Sequence, residues 1–187
     1  MNETEQELIT MVLSGRAEAF EPLVTPSRGP ILALAYRLTR DREDAREVAQ
    51  EAFLKAFRSL GRFDLSRSFR NWLFQIAANE ARDRLRRARR ERAAFEAAAR
   101  EGTAAAPAPE AGRERRETRS GIMRALDALG RREREVFVLR DLQELDIRET
   151  ARVLGCSSIS VRVNLSSARR KIREAIRRDS PHLEEGR

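Results

Sequence analysis

The chain has little of the chemistry on which many enzymes and secreted proteins depend. Its 187 residues include one cysteine, Cys156, and one histidine, His182, so no disulfide can form within the chain and no Cys/His metal cluster can assemble. Aromatic residues make up 5%, with a single tryptophan, Trp72. No apolar run approaches the length that crosses a bilayer. The start Met1-Asn2-Glu3-Thr4-Glu5 is acidic and lacks the basic and apolar regions of a secretory leader. Glu47 and Glu51 pair on one helix face, but no acidic cluster has metal-ligand spacing and no nucleophile has an activating base. These absences argue against a metal- or cofactor-dependent enzyme and against membrane insertion, and make a reducing cytoplasm the expected setting.

Charge is what the chain has in abundance. Lys+Arg 38 against Asp+Glu 30 gives a net charge of +8, and charged residues make up 36% of the sequence. Such a balance favours an anionic partner such as nucleic acid. Nearly all the basic residues are Arg and Ala is abundant, a bias that GC-rich coding alone produces, so charge supports this class without deciding it. The length fits two small helical domains better than one large one.

The stretch from Ser68 to Arg87 carries the first specific signal. At helical period Phe69, Leu73, Ile76 and Ala77 share one arc, while Gln75, Asn79, Arg82 and Arg86 share the opposite one, bordered by Trp72. A stripe of amides and guanidinium groups edged by an indole suits single-stranded nucleic acid, because bases stack on aromatic faces while arginines hold phosphates. A surface helix whose Trp is simply core fits the same pattern.

Before this stretch, Thr4 and Glu7 form a capping-box pattern, and Leu8, Ile9, Val12 and Leu13 predict a short helix ending at Ser14-Gly15. Pro22, Pro26 and Pro30 predict a kinked or split segment ahead of a helix from Ile31 to Thr39. Carboxylates at Asp41, Glu43 and Asp44 mark the start of the next helix, expected to run to about Leu60. Its inner face is Ala45, Val48, Ala49, Ala52, Phe53 and Ala56, which leaves Asp44, Glu47, Glu51, Leu54 and Arg58 outside. A leucine within an acidic stripe is suited to a protein partner, although a solvated face with one stray Leu gives the same pattern.

After Arg87 the pattern decays into Arg and Ala, and then into Gly102-Thr103-Ala104-Ala105-Ala106-Pro107-Ala108-Pro109, which offers no face to bury. Near Arg119 order is expected to return, with Ile122, Leu126 and Leu129 on one face, a stop at Gly130, and a helix from Arg131 to Leu142. Asp146 to Val161 then reads as helix, glycine-containing turn, helix: Ala151 is small where helices cross, Gly155 suits the turn, and Ser157 caps the second helix. In that last helix Val161, Leu165, Ala168 and Ile172 point inward. Ile159, Arg162, Val163, Ser166, Arg169 and Arg170 lie outward or at the margin, placed for a DNA major groove.

Taken together, these stretches make the chain resemble the extracytoplasmic-function (ECF) group of bacterial sigma-70 family sigma factors. Asp44-Ala45-Arg46-Glu47-Val48-Ala49-Gln50-Glu51-Ala52-Phe53 is similar to the group's Asp-Ala-Glu-Asp-x-x-Gln-Glu-x-Phe helix, and Trp72-Leu73-Phe74-Gln75-Ile76-Ala77-Ala78-Asn79 to its Trp-Leu-x-x-Ile-Ala-x-Asn segment. The resemblance implies an all-α protein of two small helical domains: sigma region 2 over 1–88 and a helix-turn-helix sigma region 4 over 119–178. Between them lies a flexible linker over 89–118, with a tail over 179–187.

The resemblance implies no cofactor and no catalysis, and it assigns roles to residues. Asp44, Glu47, Gln50, Glu51 and Leu54 would bind core RNA polymerase at the clamp helices of its largest subunit, with the second domain at the flap. Asp64, Ser66, Arg67, Ser68, Phe69, Trp72, Asn79 and Arg86 would capture the unpaired minus-ten promoter strand. Ser160, Arg162, Val163, Ser166 and Arg169 would read the minus-thirty-five element as duplex. An anti-sigma factor is a further implied partner. Two departures stand out: Arg46 replaces an acid, and Asn164 and Ser167 replace arginines in the last helix, which removes phosphate contacts. A helix-turn-helix regulator that binds duplex DNA without polymerase is the competing expectation.

Overall fold

The computed structural model describes residues 3–100 and 121–179, and among these every regular element is helical. The unstructured run expected around Gly102 to Pro109 and nearly all of the expected tail lie outside the described residues.

The first unit begins with α1 (Glu3–Leu13), whose Ile9 is fully buried and Val12 nearly so. The proline-containing segment is split, as the three prolines require. A 3-10 turn (Ala17–Ala19), α2 (Phe20–Val24) and a second 3-10 turn (Thr25–Ser27) precede α3 (Arg28–Thr39). Pro22 and Pro30 each fall in a helix's first turn, where an N–H has no intrahelical acceptor to lose. The helix therefore starts at Arg28, ahead of the expected Ile31. Arg40 then takes a left-handed conformation (φ 64°). Asp41 caps α4 (Arg42–Ser59) by accepting from the Glu43 and Asp44 amides at 2.8 and 3.0 Å. The expected inner face of α4 is buried at Ala45, Val48, Ala49, Ala52 and Ala56, which lets α3 and α5 pack closely against it.

α5 (Phe69–Arg100) starts where the Ser68 hydroxyl accepts from the Asn71 amide at 3.3 Å. The helix runs on past residue 88, where its side chains become exposed. Arg, Ala and Glu carry it there by intrinsic propensity, helped by the Arg92–Glu96 pair at 3.1 Å.

The second unit is α6 (Gly121–Asp127), α7 (Arg131–Phe137) with a π-helical turn continuing it over Val138–Leu142, α8 (Ile147–Leu154) and α9 (Ser158–Asp179). Of the three residues expected on one face of the first of these, Leu126 and Leu129 are buried, whereas Ile122 is exposed. With only seven residues, α6 seats Met123, Ala125 and Leu126 and leaves Ile122 on the surface. Asp146 and Glu149 form a reciprocal cap on α8, with hydrogen bonds of 2.7 and 2.8 Å. Gly155 ends α8 in the left-handed region (φ 60°), and the Ser157 hydroxyl accepts from the Ser160 amide at 3.1 Å to open α9. The four residues expected to point inward from α9 are all buried.

Glu133 ties α7 to α9. It accepts from Ser167 Oγ at 2.6 Å, Lys171 Nζ at 2.8 Å and the Gly130 amide at 2.8 Å. The bonds from Lys171 and Ser167 hold its carboxyl down at about 2. Because the folded value lies below the ordinary 4.5, its stabilisation is present above 4.5 and is lost as pH falls towards about 2. Glu133→Gln is therefore expected to lower stability at neutral pH and to flatten the pH dependence of the urea midpoint below pH 4.5, measured by circular dichroism. Gly155→Ala meets no atom within 4 Å, so only backbone strain opposes it. It should cost about 1–2 kcal/mol, read as a lower melting temperature.

Candidate nucleic-acid interface

Two sides of α5 are buried. Phe69, Leu73 and Ala77 lie on one arc and Phe74, Ala78 and Ala81, all fully buried, on an adjacent one, and α5 packs against α3, α4 and α8. Arg82 Nε donates to Glu135 Oε1 at 2.9 Å, and Arg132 Nη1 donates to Glu135 Oε2 at 2.9 Å, on a carboxylate only 3% exposed. Asn71 Nδ2 donates to Glu149 Oε1 at 2.6 Å, Arg70 to the Gln143 carbonyl at 3.4 Å, and Arg40 pairs with Asp127 at 2.7 Å. These contacts make a polar seam between the two units. Near it, burial and the neighbouring Arg40 lower the Arg134 guanidinium to about 10.

The remaining side of α5 keeps the stripe read from the sequence. Trp72 is half-buried against Phe63 and Phe69, with ring centroids at 4.9 and 5.7 Å. Phe69 itself is 1% exposed. Its ring fills the core and packs against Trp72, so it offers no exposed face. Asn79 and Arg86 are exposed, and Arg82 Nη1 donates to Asn79 Oδ1 at 2.7 Å, which leaves the amide nitrogen as a donor. Arg86 pairs with Asp83 at 3.3 Å.

In the preceding loop Asp64 Oδ1 accepts from the Ser66 amide at 2.9 Å, and the Ser66 bonds hold its carboxyl below the usual range. Arg67 donates to Gln75 at 3.3 Å and Ser68 caps α5, so both have internal partners. Asp64, Leu65 and Ser66 form the exposed tip.

Beside the stripe, the end of α4, the turn after it and the middle of α5 enclose a cleft lined by Lys55, Arg58, Ser59, Arg62, Ile76, Asn79 and Glu80, in which Lys55 pairs with Glu80. Most of these were missed in the sequence, because the wall comes from two helices and neither pattern alone shows a cavity. Ile76, expected inward, is half-buried and gives the cleft an apolar wall.

On α4 the acidic face is outward, but two of its acids are engaged. Arg84 of α5 reaches Asp44 at 2.7 Å and Glu47 at 2.9 Å, and the bond to Asp44 raises its own pKa. Gln50 and Glu51 are exposed, and Leu54 is joined one turn on by Phe57; the two are 38% and 40% exposed. Phe57 was missed, although its three-residue spacing from Leu54 was the available signal.

On α9, Arg162, Val163 and Ser166 are exposed and Ser160 half-buried. Arg169 is held in a two-point pair with Asp141, at 2.8 and 2.7 Å, which raises its pKa. That pair gives it a structural partner that the sequence pattern did not show, on a side chain that stays exposed. Asn164 Nδ2 turns back to the Ser160 carbonyl at 2.8 Å. A second cleft, lined by Arg148, Ala151, Arg152 and Gly155 to Ser158, lies at the start of α9. Cys156, half-buried there, is the free thiol.

Comparison with known proteins matches residues 23–91 to sigma-70 region 2 and residues 119–172 to sigma-70 region 4. The RNA polymerase sigma-H factor of Pseudomonas aeruginosa is 34% identical over 182 residues, covering 93% of this chain and 94% of that protein. The ECF RNA polymerase sigma-E factor of Escherichia coli K12 is 32% identical, covering 90% and 92%. CnrH, solved in complex with the cytosolic domain of CnrY, is 30% identical with a TM-score of 0.68, covering 95% of this chain and 100% of that one. With both regions matched in order and full-length relatives at this identity, the chain belongs to the sigma-70 family as an ECF-group sigma factor, a specificity subunit that directs RNA polymerase to promoters and is not itself an enzyme.

Proposed function

We propose that the chain docks on core RNA polymerase through the outward face of α4 and, once held there, traps unstacked bases of the minus-ten strand while α9 reads the minus-thirty-five element as duplex. The functional units are 1–88 and 119–178, with 89–118 as the tether and 179–187 as a tail. The observation that supports the first half is one continuous surface: the half-buried Trp72, the Asn79 amide and the cleft rimmed by Lys55, Arg58 and Arg62. An unpaired base presents an apolar face, a polar edge and a phosphate. Here Ile76 and Trp72 meet the face, Asn79 the edge and the cations the phosphate.

Extracting a base costs a few kcal/mol of stacking, which contacts of about 1–3 kcal/mol per base offset only when several act together. Docking on polymerase supplies that simultaneity, because it raises the local concentration of each module at its own element. Leu54 and Phe57, flanked by Gln50 and Glu51, give α4 the apolar centre and polar rim of a helical docking face, which fits the clamp helices of the largest subunit. The flap is the matching site for the second unit.

The seam between the units bears on how the chain is used. Elements centred at minus ten and minus thirty-five are separated by roughly 25 base pairs, or about 85 Å at 3.4 Å per step. A compact chain of this length has a radius of gyration of about 16 Å. The seam therefore parts when both elements are engaged, and polymerase contacts replace the Glu135 ion pairs. CnrH was solved bound to a cytosolic protein domain, and an anti-sigma factor is the corresponding partner proposed here. Among the described residues no helix is long and apolar enough to cross a membrane, in keeping with action in the cytoplasm.

Transcription in vitro with core polymerase and a genomic promoter library tests this reading. Specific transcripts should appear only when the chain is added. Trp72→Ala and Asn79→Ala should each reduce transcription from duplex templates by about tenfold, the loss of roughly one base contact. Most of that loss should return on templates with a pre-opened minus-ten segment. Transcripts independent of the chain would overturn the assignment, as would equal losses on open and closed templates for the role of this surface.

A further inference from the structure

The outward face of α9 carries the two most exposed large apolar side chains among the described residues, Ile159 at 70% and Val163 at 63%. They sit one helical turn apart and take no part in the core, which α9 supplies with Val161, Leu165, Ala168 and Ile172. Polar groups of the same helix are drawn away from this face. Asn164 folds back onto the Ser160 carbonyl, Ser167 donates to Glu133 and Arg169 is clamped by Asp141. What remains outward is an aliphatic pair beside Arg162 and Ser166. The cleft next to it is lined by Arg148, Arg152 and Ser157, at the end of the helix where backbone amides point outward.

An apolar centre within a cationic surround fits an anionic surface that itself has an apolar spot. The thymine C5-methyl is the apolar group displayed on the major-groove edge of base pairs. Resting on the reading of α9 as the duplex-recognition helix, we propose that Ile159 and Val163 are specificity-determining residues that read thymine methyl groups in the upstream promoter element. The spacing of the pair sets the expected site. Side chains four apart on a helix lie about 5–6 Å from one another, so the methyls belong to thymines one or two base steps apart. The patch thus supplies base discrimination where Asn164 and Ser167 no longer supply phosphate contacts.

The test uses the full chain bound to core polymerase. A duplex library randomised upstream of a fixed minus-ten segment is selected for binding, and each thymine of the preferred upstream sequence is then replaced singly by uracil, which removes only the methyl. The expected result is a loss of about fourfold at one or two positions one or two steps apart. That loss should disappear in Ile159→Ser or Val163→Ser, and should persist in Val163→Ile, which keeps a β-branched aliphatic. Uracil substitution that is neutral everywhere, in a holoenzyme that still selects an upstream sequence, overturns the methyl readout while leaving duplex recognition intact. So does an equal loss in wild type and serine variants. No upstream preference at all overturns the duplex reading itself, and with it the proposal. Serine variants that lose affinity for core polymerase, with no change in uracil sensitivity, assign the patch to a protein contact and overturn the proposal as well.

Discussion

Burial of α5 on two sides is the constraint on which the rest of the arrangement depends. A helix with Phe69 and Leu73 on one arc and Phe74 and Ala78 on the next must be covered twice, and at these positions it has at most 1% of its surface exposed. One cover is α3 and α4, the other is the second unit through α8. The arc carrying Trp72, Asn79 and Arg86 stays at least partly exposed.

Electrostatics refine what packing leaves open. Many arginines of this basic chain are engaged internally: Arg84 with two α4 acids, Arg82 and Arg132 with Glu135, Arg169 with Asp141. A buried carboxylate such as Glu135 is tolerated only because two guanidinium groups meet it, and such a pair stabilises less than its geometry suggests because both partners are desolvated. That property suits a seam that is made and unmade. Arginines that stay exposed around the α4/α5 cleft and beside α9 are therefore a subset, and total net charge is a poor guide to where exposed cations lie.

Much of the fold was legible in the sequence. Helix starts at Asp41, Ser68, Asp146 and Ser157 carry capping side chains whose hydrogen bonds are local, and the inward residues of α9 follow from period alone. Exposure was legible where one helix's period sets it, as for Asn79 on α5 or Gln50 and Leu54 on α4. A side chain's surroundings were not legible where a distant residue intervenes. Phe69 belongs to an aromatic cluster with Phe63, and Arg169 answers to Asp141, 28 positions away. No local pattern encodes a partner at that distance.

The sequence by itself determined that the chain is helical, that it carries a helix-turn-helix whose second helix is the basic last one, and most of the residues that line each element. These depend on interactions within a few residues, where backbone geometry fixes who meets whom. Tertiary structure alone decided that Lys55, Arg62 and Asn79 share one cleft, that Arg82 and Arg132 meet on Glu135, and that Ser167 is drawn to Glu133 and Arg169 to Asp141. Those outcomes depend on which surfaces neighbouring helices cover, and covering is a property of the packed whole that no single periodicity contains.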